Sequence, residues 1–224
     1  MLTVSDDPES VESALLLGRM KCPGCGNRLR PWGWARHRTI RDGDTTDRSA
    51  VRFRPRRARC AQCQSTHVLL DVRLAARRAD TAAVIGAAVE AMVLGWGYRR
   101  IAAANGRPVT TVRDWLRAFK ASAVVIAYWF AGLLTRDGAD AAALWPRPAG
   151  TTAGEALSAV MAYAAGVVRR FIPVVTVTWI HVGITATAGR LFCRAWWTGG
   201  CNTSSLLWPG AFGVIVAGAP VTPS

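Results

Sequence analysis

Four cysteines stand in two pairs, Cys22-Pro23-Gly24-Cys25 and Cys60-Ala61-Gln62-Cys63. A C-x-x-C spacing closes a tight turn that aims both sulfurs at one point, and two such turns offer four thiolates to a tetrahedral Zn²⁺. Gly26, directly after the first pair, suits the positive φ that such a turn often needs. The 34 residues between the pairs are long for a compact finger but suit the strands of an antiparallel zinc ribbon. Arg28–Arg38 is expected to leave the first turn as a strand and Val51–Arg59 to return, with Asp42-Gly43-Asp44 at the connection. Thr66–Val72 is expected as a third strand. Four thiolates leave no open coordination position, so the chemistry expected of Cys22, Cys25, Cys60 and Cys63 is structural rather than catalytic. A thioredoxin-like role needs only one C-x-x-C and a βαβ context that is absent. His67 enters the ligand set only if the set is not these four. Cys193 and Cys201 read as free thiols.

The positive charge is concentrated around these cysteines. The chain carries a formal net charge of +14. Residues 1–18 hold four acids (Asp6, Asp7, Glu9, Glu12) and no base, whereas residues 19–78 hold sixteen Lys or Arg against four Asp. Such clustering creates a potential suited to a polyanion. In Val51-Arg52-Phe53-Arg54-Pro55-Arg56, strand alternation places Arg52, Arg54 and Arg56 on one face, where they can track phosphates. Trp32 and Trp34 also share a face; core filling is the first reading for them, stacking on an unpaired base the second.

A second motif follows. A helical stripe at Ile85, Ala88, Val89, Met92 and Val93, with Asp80 or Thr81 as cap, stops at Gly95-Trp96-Gly97. Next come Tyr98 to Leu116 in the pattern of a helix-turn-helix. Ile101 is apolar and Ala102 is small where two helices cross. Gly106 falls four residues on, where the turn requires positive φ, and Val112, Trp115, Leu116 and Phe119 supply the buried face of the second helix. The outward set is then Thr110, Thr111, Arg113, Asp114 and Arg117. Arg113 has the geometry to pair bidentately with guanine, Asp114 to accept from cytosine, and the threonines to cap the helix or bond a phosphate. An ordinary helical hairpin with glycine in its turn is the competing reading.

A zinc ribbon followed by a helix-turn-helix resembles the N-terminal DNA-binding part of insertion-sequence transposases and their accessory proteins. The stretch Arg57–Leu70 looks like the second cysteine turn of such proteins. Cys22-Pro23-Gly24-Cys25-Gly26 with Leu29–Arg36 is similar to an uncharacterised actinobacterial helix-turn-helix family. The resemblance covers residues 20–135 and implies DNA binding without an activity. A transposase core would need three carboxylates holding two metal ions. After residue 120 the acids are Asp137, Asp140 and Glu155, spaced unlike such a core, so no enzyme is expected.

These motifs set the expected architecture. It is mainly α, with a small N-terminal antiparallel β zinc ribbon, a tri-helical helix-turn-helix core and further helices. The expected parts are a disordered leader (1–18), the ribbon (19–78), the helix-turn-helix domain (79–136), a linker (137–151) and a C-terminal helical or irregular region (152–224). Residues 121–135 read as a helix ended by Asp137-Gly138, and Trp145–Gly150 as linker. Thr152-x-x-Glu155 reads as a capping box opening a helix to about Arg170. Its expected buried stripe is Leu157, Val160, Met161, Ala164, Val167 and Val168. The Val, Ile and Thr of Val174–Thr187 favour strand. Phe171–Ala188 is uncharged but holds Pro173, His181, Gly183 and several threonines, so a membrane is not an expected partner. The acidic N-terminus lacks a secretory pattern, which makes the cytoplasm the expected location. The partner expected is double-stranded DNA, and a homodimer is compatible with it. The alternative is a protein-interaction module in which zinc is purely structural and the apolar C-terminal half docks a partner or membrane.

Overall fold

The computed structural model describes residues 1–43, 50–136, 146, 148–171 and 177–194. About half of these are helical, and a small mixed sheet lies at the N-terminal end. The sheet order is β1-β6-β5-β2, from Leu2–Val4 (β1), Thr66–Asp71 (β6), Arg56–Cys60 (β5) and Leu29–Trp34 (β2). β2, β5 and β6 pair antiparallel, but β1 pairs parallel to β6, so the sheet is mixed and not the purely antiparallel one expected. Arg38–Arg41 (β3) and Ala50–Phe53 (β4) form a separate two-stranded hairpin.

Two strands expected to run straight are therefore each broken in two. β2 stops at Trp34 and the chain resumes as β3 at Arg38, while the returning strand is interrupted between Phe53 and Arg56. Pro55 explains the second break. It has no N–H to donate to a ladder; it is buried, and its carbonyl instead accepts from the Ala35 amide at 2.8 Å.

Both faces of the sheet have cores. Val11, Ala14 and Leu15 of α1 (Pro8–Leu16) cover one face, packing with Met20, Leu29, Ala58 and Leu69. On the other face the β3–β4 hairpin brings Ile40 and Phe53 against Leu70, Leu74 and Ala76. The expected disordered leader is thus a strand and a helix. The sequence held the signal: Asp7 accepts from the Glu9 and Ser10 amides at 3.1 and 3.2 Å, and Pro8 takes the first helical position. This is an N-cap followed by a residue whose φ is already helical.

The larger core is helical. It joins α2 (Ala82–Val93), α3 (Tyr98–Ala104), α4 (Val109–Arg136), α5 (Thr152–Phe171) and α6 (Trp179–Ala186). α4 merges two stretches that the sequence separates. Its stripe Val112, Trp115, Phe119, Ala123, Ile126, Phe130 and Leu134 is buried along its whole length, largely against α5. α4 is also long and apolar enough to cross a membrane by length and composition, yet that stripe is spent on the core. Asp137-Gly138 and most of the expected linker lie outside the described residues.

Three expectations for the C-terminal helices are corrected. The cap of α5 is Thr151, not Thr152: the Thr151 hydroxyl accepts from the Gly154 amide at 3.1 Å. The buried face of α5 takes in Ala153, Ala156, Ala159 and Tyr163 beside Leu157, Val160, Ala164 and Val167. Of the expected stripe, Met161 is 39% exposed and Val168 is half-buried. Residues 179–186 are helix rather than strand, because burial of Val182, Ile184 and Ala186 outweighs local β-preference. Gly86 of α2 permits this packing, since a Cβ there would lie 2.6 Å from the Ile180 side chain of α6.

The sheet and the helices meet at Asp80. Its carboxylate accepts from Arg107 Nε at 2.5 Å and from Arg41 at 3.2 Å. Asp80 and Arg107 are only 2% and 3% exposed. Arg107 also donates to the carbonyls of Gly43 (3.1 Å) and Asn105 (3.1 Å). Thr81 starts α2 but caps nothing with its side chain; its hydroxyl donates to Asp42 at 2.9 Å. Removing one partner of such a pair strands the other charge away from water. Asp80→Asn is expected to lower unfolding free energy by about 3–5 kcal/mol, measured by urea denaturation. Asp80→Asn combined with Arg107→Met should cost less than Asp80→Asn alone.

Candidate functional site

The two cysteine turns have the same backbone plan. The Cys22 amide donates to the Asn27 carbonyl at 2.7 Å, and the Cys60 amide donates to the Ser65 carbonyl at 2.9 Å. Four residues past the first cysteine of each, the backbone turns left-handed, at Gly26 (φ 71°) and Gln64 (φ 60°). Glycine takes this conformation freely; the glutamine is anchored, its amide nitrogen donating to the Ala61 carbonyl at 2.9 Å. Pairing of β2 with β5 sets Leu29 opposite Cys60 and so brings the turns together. A hydrogen bond from the Asn27 side-chain Nδ2–H to Gln62 Oε1, at 2.7 Å, ties them.

This convergence places the four sulfurs within 4.8 Å of one another. Cys22 and Cys63 are 3.7 Å apart, and Cys25 and Cys60 are 3.4 Å apart. Tetrahedral zinc with Zn–S bonds of about 2.3 Å requires S···S spacings of about 3.8 Å. A disulfide would need about 2.05 Å. The cluster therefore fits a metal ion, consistent with zinc. Cys22 and Cys60 are buried, while Cys25 and Cys63 face solvent.

The electrostatics argue the same way. Hydrogen bonds from the side chain and backbone of Ser65 pull the Cys63 thiol down to about 6. At Cys60 burial disfavours the thiolate, but the Gln62 and Cys63 amides outweigh it and the thiol is lowered. Cys25 goes the opposite way. The Asn27 amide favours its thiolate, but hydrogen bonds shared with the other sulfurs, Cys60 first, push it up to about 11. Neighbouring thiols cannot all ionise without a cation between them. His67 lies behind the cluster, its Nε2 3.5 Å from Cys22 Sγ. Burial lowers its pKa, and as a neutral ring it can donate Nε2–H to that sulfur. It supports the ligand set rather than joining it.

The expected arginine row does not form. Arg52 lies on β4, Arg54 at the break and Arg56 on β5. Arg54 Nε donates to the Ala35 carbonyl at 3.2 Å. Arg56 makes two bonds to the Glu12 carboxylate, at 2.8 and 2.9 Å, and a third to the Gly33 carbonyl at 2.7 Å. It holds α1 on the sheet and has little left for a phosphate. The tryptophans do not fill a core either: Trp32 and Trp34 are 48% and 49% exposed, each with an arginine over its ring.

Around the turn between α3 and α4 the apolar residues expected to be inward, Ile101, Ala102, Val112, Trp115, Leu116 and Phe119, are buried. Gly106 has φ 58°. Thr110, Asp114 and Arg117 are exposed and Thr111 and Arg113 half-buried, so all five lie outside the core. The Arg113 Nε is buried without a hydrogen-bond partner. Sequence reasoning missed Arg107, which sits inside this turn and is buried. It also missed Arg100, stacked 3.6 Å from the centre of the Trp96 ring. Cys193 donates to the Ala76 carbonyl at 3.1 Å; Cys201 lies outside the described residues.

Comparison with family models, with curated proteins and with solved structures finds no match to this chain. The metal assignment therefore rests on geometry, and it is directly measurable. Purified protein is expected to carry one zinc per chain, and Cys22→Ser with Cys60→Ser to carry none. Elemental analysis of both decides it; unchanged zinc in the double variant overturns the site. Because ligand thiols must stay deprotonated, zinc should be released on acidification, once protons compete for the sulfurs.

Proposed function

We propose that this chain is a zinc-dependent DNA-binding protein, acting as a transcriptional regulator or as an accessory or remnant of a mobile element. The observation that carries it is the α3–turn–α4 arrangement. Its inward residues are buried, while Thr110, Thr111, Arg113, Asp114 and Arg117 cluster outside the core on the first turns of α4. The N-terminal turns of such a helix are the part that reaches base edges in the major groove. The net charge of +14 supports a polyanionic partner. Zinc at Cys22, Cys25, Cys60 and Cys63 would make the sheet a zinc ribbon beside this helix-turn-helix. Reduced thiols suit work in the cytoplasm, and no catalysis is assigned.

Two groups of cations then have different jobs. Arg52 and Arg54 are exposed on the hairpin side and would meet phosphates, together with Arg99 on α3. Arg113 would read a base. Arg56 is removed from the phosphate set by its bonds to Glu12 and Gly33.

A second reading has one observation in its favour. Val124, Val125 and Tyr128 form an exposed apolar stripe on α4, as a protein-interaction module would have. DNA binding by the whole chain separates the two. Selection from a random duplex library should yield a site bound with steep salt dependence. Arg52→Ala with Arg54→Ala should weaken all duplexes alike and flatten the salt slope by about two units. Arg113→Ala should cost about 1–3 kcal/mol on the selected site and relax one base pair. If the parent binds no duplex below micromolar concentration in low salt, the protein-interaction reading replaces this one.

A further inference from the structure

The sheet carries a face that the duplex reading does not use. Along β5, alternation sends Ala58 and Cys60 inward and Arg57 and Arg59 outward, as their burial confirms. Register sets Arg30 of β2 and Thr66 of β6 on either side of Arg59, and Val68 beside Arg57. Trp32 belongs to the same outward set. At Gly33 (φ 82°) the register slips between Pro31 and Trp34. This bulge leaves Trp32 without a partner directly across β5, and Trp34 pairs with Arg56, whose side chain is held by Glu12 of α1. The β3–β4 hairpin covers the far end of this face, around Leu70, and leaves the end near the cysteine turns open.

What remains is a platform of one aromatic ring and three guanidinium groups. Arg59 stacks on one side of Trp32, its Cζ 4.4 Å from the ring centre, and Arg59 Nε is tied to the Gln64 carbonyl at 3.3 Å. Trp32 is nearly half exposed. Among the described residues, no carboxylate lies within 4.0 Å of Arg30, Arg57 or Arg59. By contrast, Arg41, Arg56, Arg73 and Arg107 are each paired with a carboxylate. A duplex keeps its bases stacked inside and presents only edges to such a flat face. A single strand offers both a ring to stack and phosphates at the spacing of neighbouring side chains.

We propose that Trp32, flanked by Arg30, Arg57 and Arg59, is a binding site for single-stranded nucleic acid: an unpaired base stacks on the indole and the arginines take its flanking phosphates. The site is separate from α4 and does not rest on the duplex reading.

The test uses the zinc-loaded full chain and a labelled oligothymidylate of about 15 nucleotides, followed by fluorescence anisotropy in a salt series. The parent should bind in low salt. Trp32→Ala should raise Kd by about 5- to 150-fold, the worth of one base–aromatic stack, and leave the salt slope unchanged. Trp32→Phe should retain most of the binding, which covers the case in which the alanine variant does not fold. Arg30→Ala with Arg57→Ala should instead flatten the slope by about one unit or more. Trp34→Ala is expected to bind like the parent, and Trp32→Ala to bind duplex DNA like the parent. The proposal is overturned if the parent does not bind the oligonucleotide in low salt, or if a folded Trp32 variant binds it unchanged. Equal losses from Trp34→Ala, or on duplex, overturn it as well.

Discussion

Asp80 accepts hydrogen bonds from two arginines that come from different parts of the chain, Arg41 on β3 and Arg107 in the turn before α4. A carboxylate with this little exposure needs partners, because an isolated buried charge costs several kcal/mol. The need is met only when the β3–β4 hairpin, the start of α2 and the α3–α4 turn are together. Backbone bonds reinforce the junction: the Arg41 amide donates to Ala79 at 2.8 Å and the Thr81 amide to Arg41 at 3.1 Å. Arg107 closes the ring by reaching the Gly43 carbonyl. The junction thereby fixes where the first turns of α4 stand relative to the sheet, and so where both proposed nucleic-acid surfaces lie.

The sheet has a comparable dependence on its cysteines. It is small, and the apolar residues beneath it amount to one side of α1 and a few strand positions. Such a unit has little core of its own, so a metal held by the four cysteines would supply a large part of its folding free energy. The β2–β5 register that brings the cysteine turns together sets Leu29 opposite Cys60. That register in turn decides that Arg57 and Arg59 face outward while Ala58 faces α1. Metal binding and the outer face are in this way one problem of strand register.

Arginine dominates the basic residues of this chain, and the fold divides them by job. Arg56 pins α1 through Glu12, Arg73 closes on Asp71, Arg38 reaches the Arg78 carbonyl, and Arg107 sits inside the core. A planar guanidinium with five donors suits each of these, because it can satisfy a carboxylate and carbonyls at once. The high net charge therefore overstates what is offered to a partner. Among the described residues, arginines without a carboxylate partner include Arg30, Arg52, Arg54, Arg57 and Arg59 on the sheet side and Arg99, Arg113 and Arg117 on the helix side.

Local chemistry was legible in the amino-acid order. Two C-x-x-C spacings were enough to foretell a four-sulfur cluster, because ligand convergence is built into each turn. The periodicity around Gly106 foretold which of Ile101, Ala102, Val112, Trp115, Leu116 and Phe119 would be buried, because helix faces follow from spacing alone. Asp7-Pro8 carried a helix start that went unread because a run of acids looked like a solvated leader. Other features had no local signal. Pro55 marked a break, but only the pairing of Arg56 with Glu12 took that arginine out of the phosphate row. Residues 179–186 became helix through the space beside Gly86, against their own β-preference. Trp32 and Trp34 became exposed because a bulge at Gly33 and two stacked arginines settled their places. Spacing along the chain determines turns and helix faces. Which charge meets which, and which ring meets water, depends on residues distant in sequence, so only tertiary structure decides it.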